Sequence, residues 1–94
     1  MSILKVGTMY KNKLPDGRNN ICGENIRKLR QGLPEKTSQR KLADLLQIQG
    51  LDVDKNAVQR MESGQRFVTD IELKALADVF HISCDELLQG NGSD

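Results

Sequence analysis

A chain of 94 residues with 37% hydrophobic side chains, three aromatics (Tyr10, Phe67, Phe80) and a net charge of +1 is enough for one small domain. Plentiful aliphatics with so few aromatic rings fit a small helical core better than a β-sandwich. No apolar run is long enough to cross a bilayer. The opening Met1-Ser2-Ile3-Leu4-Lys5-Val6 has neither the apolar stretch nor the cleavage site of an export signal. The expected compartment is therefore the cytoplasm, with no membrane association.

Residues 1–19 read as irregular and basic, with Lys5, Lys11, Lys13 and Arg18 and a turn signal at Leu14-Pro15-Asp16-Gly17. Ile3 to Val6 could form a short strand, though an isolated hairpin is marginal. A first helix is expected over about 21–31, with Ile26, Leu29 and Leu33 facing inward and Gly32-Leu33-Pro34 ending it. A second starts after Ser38, a good N-cap. Leu42, Leu45 and Leu46 at i, i+3, i+4 mark its buried face, and Gly50 suits its exit. Leu51 and Val53 are expected to plug the turn that follows.

The third helix, from a cap at Asp54 to an exit at Gly64, carries the most information. At about 100° per residue, Lys55, Asn56, Gln59 and Arg60 share one arc, and Ala57, Val58 and Met61 share the opposite one. One face can dock on a core. The other presents the heads that match base edges in a DNA major groove. Its bland alternative is a solvated helix face.

Thr69-Asp70-Ile71-Glu72 is a capping box that opens a fourth helix, apolar over a wide arc and expected to be central. Ser83-Cys84-Asp85-Glu86 is a second box. It opens a fifth helix that buries Leu87. His81 reads as a structural or helix-capping residue rather than a catalytic base. The expected organisation is a tail over 1–20, a helical domain over 21–90 and a frayed end over 91–94.

Charge is unevenly spread. Residues 1–66 hold 13 Lys and Arg against 7 Asp and Glu, whereas residues 67–94 hold one Lys against six acids. A basic front and an acidic back suit a protein that meets a polyanion with one surface. Cys22 and Cys84 have no CxxC or CxxH spacing and sit beside apolar residues, so buried free thiols are expected, with no metal and no cofactor. One His, no glycine-rich phosphate loop and no nucleophile with an activating partner argue against an enzyme.

Two helices joined by a turn, the second polar on its outer face, suggest helix-turn-helix geometry. Residues 25–88 resemble the Cro/C1-type (XRE-like) helix-turn-helix family of phage and bacterial repressors. The resemblance rests on Ile26-Arg27-Lys28-Leu29-Arg30, Ser38-Gln39-Arg40-Lys41-Leu42-Ala43 and Val58-Gln59-Arg60-Met61-Glu62-Ser63-Gly64. Leu73-Lys74-Ala75-Leu76-Ala77 and Ile82-Ser83-Cys84-Asp85-Glu86-Leu87-Leu88 complete it. It implies an all-α, five-helix, lambda-repressor-like DNA-binding domain with an irregular N-terminal tail.

The resemblance also implies residue roles. Lys55, Asn56, Gln59 and Arg60 would read bases or adjacent phosphates. Ser38, Gln39, Arg40, Gln65 and Arg66 would contact phosphates. Arg30 would pair with Glu62. The chain departs from the compact members of the family between Ala43 and Glu62, where the segment is about one helical turn longer.

The expected function is sequence-specific binding of double-stranded DNA as a transcriptional regulator, a repressor in the first reading, acting as a homodimer on a two-fold-related operator. The stretch 84–88 is the favoured dimer surface. The alternatives are an antitoxin that binds both DNA and a toxin, or a protein-interaction module on the same fold.

Overall fold

Each helix begins where a short polar side chain can take up an orphan backbone N–H. In the computed structural model, which describes residues 13–89, there are five. They are α1 (Gly23–Gln31), α2 (Gln39–Ile48), α3 (Lys55–Ser63), α4 (Asp70–Phe80) and α5 (Cys84–Gln89). The fold is all-α, with no strand among the described residues. The expected strand at Ile3–Val6 and the polar end at 90–94 lie outside them.

The Ser38 hydroxyl accepts from Lys41 N at 3.0 Å and the Asp54 carboxylate from Ala57 N at 2.8 Å. Thr69 and Glu72 form a reciprocal capping box, as do Ser83 and Glu86. Gly50 and Gly64 leave α2 and α3 at φ of 97° and 84°, a left-handed conformation that glycine adopts without steric cost. His81 takes the same role after α4 at φ 58°. It is exposed, a helix cap on the surface.

The core draws on every helix. Ile26 of α1, Leu42 and Leu46 of α2, Val58 and Met61 of α3, Leu76 of α4 and Leu87 of α5 are completely buried. Each such side chain contributes about 1.5–3 kcal/mol of transfer free energy. Val53 is buried in the turn and Leu51 packs against the cluster, so the turn is plugged as its two apolar residues suggested.

The densest packing lies between α2 and α3 and between α1 and α3, not around α4. The fourth helix is therefore not the centre that its composition suggested. Its apolar arc is only partly covered, with Ile71 exposed and Leu73 and Val79 partly buried. The two thiols also differ. Cys22 is buried, whereas Cys84, in the first turn of α5, is only half-buried.

Residues 13–20 contain no helix or strand, yet they are tied to the domain. The turn signal closes with Gly17 N on Leu14 O at 2.8 Å. Asn19 and Asn20 then bond to the end of α3. These contacts belong to the site.

Candidate nucleic-acid interface

α2, the turn over 49–54 and α3 form one bihelical unit. Gly50 reverses the chain, and Leu51 N bonds back to Leu46 O at 3.1 Å. The Gln47 amide donates to Val53 O at 2.8 Å, which spans the extra length of the turn. The added residues are thus held by the side chain of α2 and by the burial of Val53.

α3 divides as its sequence implied. Ala57, Val58 and Met61 are buried, while Lys55, Asn56, Gln59 and Arg60 are exposed. Among the described residues, none of those four exposed side chains makes a hydrogen bond or ion pair. The opposite side is fixed by a charged network. Arg30 Nε donates to Glu62 Oε2 at 2.7 Å and Nη2 to Oε1 at 3.1 Å, with Glu62 only 3% exposed. Arg30 Nη1 donates to Thr37 O at 2.9 Å, and Gln39 Nε2 donates to Glu62 Oε1 at 2.9 Å. The Glu62 carboxylate therefore ties α3 to α1 and to α2, and the Arg30 guanidinium that it holds also reaches the loop before α2.

The cations beside this face differ in what holds them. Lys36, Arg40, Lys41, Lys55 and Arg60 are exposed and have no ionic partner among the described residues. Arg40 and Lys55 line a groove between α2 and α3 together with Asn56, Asp44 and Asp54. The two carboxylates make that groove mixed in charge, and Asp54 is there because it caps α3. Gln59 lines a second groove with Gln39, Arg27 and Ser63.

Beyond the exit of α3, Gln65 is exposed, but Arg66 is engaged. Its Nη1 donates to both oxygens of Glu72 at 3.0 Å, and the same carboxylate accepts from Thr69 N. Of the residues expected at phosphates, Arg66 alone has its guanidinium turned into an internal ion pair. The Ser38 hydroxyl is occupied by its own helix, and the Gln39 amide bonds to Glu62.

Asn19, Asn20 and Gln47 carry contacts that sequence reasoning did not single out. Asn20 Nδ2 donates to Met61 O at 3.0 Å and to Arg66 O at 2.7 Å, and its Oδ1 accepts from Gly23 N at 2.8 Å. The only local signal for it was an Asn three residues ahead of a helix start whose own N-cap residue, Cys22, offers no side-chain cap.

An all-helical bundle with a bihelical unit, an exposed polar face on its second helix and a buried ion pair behind it is a helix-turn-helix domain. A family model described as helix-turn-helix matches residues 26–87, and the chain belongs to this Cro/C1-type, XRE-like family of DNA-binding transcription regulators. No curated protein and no solved structure matches the chain. Among the described residues no helix is long and apolar enough to cross a membrane.

Proposed function

We propose that this protein binds specific sites on double-stranded DNA as a transcriptional repressor, with α3 seated in the major groove. The observation that carries the reading is the state of α3. Lys55, Asn56, Gln59 and Arg60 are exposed and uncommitted within the described chain, on a helix whose other side is locked by Arg30–Glu62. Asn and Gln match adenine, and Arg and Lys match guanine or a phosphate. A rigid mount with an unspent polar face is what base reading requires.

Arg40, at the start of α2, and Gln65, past the exit of α3, flank that face and would contact the backbone. Ser38 and Gln39 would act through the orientation of the α2 N-terminus, where N–H groups favour an anion. A single domain offers few contacts, so two copies would occupy two-fold-related half-sites. Ile21 and Leu88 are exposed apolar residues that line one groove with Val68 and Leu73, which supports a dimer contact near α5. Bound at a promoter, the dimer would block polymerase.

The test is selection from fragmented source DNA by the protein and by a variant with Asn56, Gln59 and Arg60 all changed to Ala. Enrichment of a few palindromic sites by the unaltered protein alone is expected. Equal retention of all fragments by both would sink the reading, and a stable co-purifying protein partner would favour the antitoxin alternative.

A further inference from the structure

The segment ahead of the matched family region is built into the mount of the reading helix. Four backbone carbonyls at the C-terminal end of α3 and just beyond it accept hydrogen bonds from two consecutive asparagines. Asn20 Nδ2 serves Met61 O and Arg66 O. Asn19 Nδ2 serves Gln65 O at 2.9 Å, and Asn19 N serves Gly64 O at 2.7 Å. Asn20 Oδ1 takes Gly23 N, so the same side chain also caps α1.

Two close approaches support this clamp independently. A Cβ built on Gly23 would lie 2.3 Å from Met61 O, so the start of α1 touches the carbonyl end of α3 directly. A Cβ built on Gly64 would lie 2.6 Å from Arg18 Cγ, so the Arg18 stem covers the exit. Carbonyls at a helix C-terminus have no partner within the helix. Here Met61 O accepts from both Gly64 N, at 3.2 Å, and Asn20 Nδ2, and the otherwise irregular segment supplies the bonds to the three carbonyls just beyond the helix.

We propose that Asn20 is a positioning residue for DNA reading. Its amide fixes the axial position of the α3 C-terminus, and hence where Gln59 and Arg60 reach, without itself touching DNA. This rests on the DNA-reading role proposed for α3. The distance sensitivity of directional contacts gives the effect its size: a small misplacement of a reading helix weakens base contacts, while phosphate attraction, being long-ranged, changes little.

Asn25 supplies a matched control. Its Nδ2 donates to two carbonyls at another helix, Glu86 O at 3.2 Å and Leu87 O at 3.1 Å, and none on α3. Asn20→Asp keeps the acceptor for Gly23 N–H and loses the amide donor, and Asn25→Asp makes the equivalent change at α5. The probes are the duplex most enriched by the unaltered protein from a randomised pool and a scrambled duplex of the same composition. Each variant is titrated with both over a range of salt.

Asn20→Asp is expected to lower the ratio of the two affinities about tenfold, with scrambled-duplex binding and its salt dependence preserved. Asn25→Asp is expected to leave the ratio unchanged even where its melting point falls. Amide exchange at Gln65 and Arg66, both bonded to Arg60 O, should accelerate in Asn20→Asp only. An unchanged ratio in Asn20→Asp, or an equal fall in both variants, overturns the proposal while the DNA reading stands. Where Asn20→Asp fails to fold, Asn19→Ala, which removes one bond to the same turn, must lower the ratio about twofold or the proposal falls. No preference by the unaltered protein for any duplex would overturn the DNA reading and this inference with it.

Discussion

Arg30 and Glu62, thirty-two positions apart, meet in a two-bond ion pair at 2.7 and 3.1 Å, with the carboxylate almost wholly buried. Gln39 and Thr37 complete the hydrogen bonding of the pair, so both charges are compensated out of water. A buried pair of this kind is strong evidence of fixed geometry and weak evidence of net stability. Desolvation offsets much of its attraction.

Removing one partner leaves the other charge buried. Arg30→Ala or Glu62→Ala should cost about 3–5 kcal/mol, a large fraction of the stability of a domain this small. A joint replacement by Met and Leu should cost far less than the two single costs added together. Urea melts of the two single variants and the double variant measure this directly, and a double variant as unstable as the added singles would show that the two charges do not compensate each other.

Gly23 is the sharpest steric test. It is the first residue of α1 and has no positive φ, so helix propensity alone would make Gly23→Ala stabilising by at most about 1 kcal/mol, the interior value. The new methyl would meet Met61 O at 2.3 Å and Glu62 O at 2.9 Å, both backbone atoms that cannot move independently of α3. The clash should win, with a net loss of about 1–3 kcal/mol and a lower melting temperature. A rise in melting temperature would show that α1 and α3 leave room for a methyl group between them.

What the sequence made legible was mostly local. The caps at Ser38, Asp54, Thr69 and Ser83 are bonds across three residues, and each leaves a recognisable pair of residue types. The amphipathic face of α3 follows from its period alone. The clamp by Asn19 and Asn20 left no such pattern, because its acceptors are backbone carbonyls that every residue offers. Nor could composition foretell that Arg66 would turn to Glu72, since Glu72 already had a complete local role in the capping box. The centrality wrongly expected of α4 has a related cause. Apolar residues mark what is able to be buried, and packing decides how much of it is.

The cations near α3 should separate by their present engagement. Arg40 is exposed and unpaired within the described chain, so Arg40→Gln should weaken binding to all duplexes alike and lower the salt slope by about one. Arg60→Ala should instead lose about 1–3 kcal/mol on the preferred site with little effect elsewhere. Arg66→Gln breaks the pair with Glu72, whose side chain is 11% exposed, and should lower stability with the salt slope retained. Salt-dependent titrations paired with thermal melts distinguish the three. An Arg66→Gln slope reduced by one at unchanged melting temperature would place Arg66 on the DNA.

Cys22 gives the fold an alkaline limit. Burial beside Ile26 and the rest of the core pushes its thiol up to about 11, because the thiolate is poorly solvated there. In the unfolded chain it ionises near an ordinary thiol value. The unfolded state therefore loses this proton first as pH rises. The contribution to stability is intact below pH of about 8.5 and declines between there and about 11, by roughly 3 kcal/mol at the upper end. Urea midpoints from pH 8 to 11 should fall more steeply for the unaltered protein than for Cys22→Ala, even though the variant starts lower for want of the buried sulfur. The half-buried Cys84 should be alkylated faster than Cys22 at pH 8. Equal alkylation rates, or equal slopes with and without Cys22, would mean that the thiol is not held in the core of the folded protein.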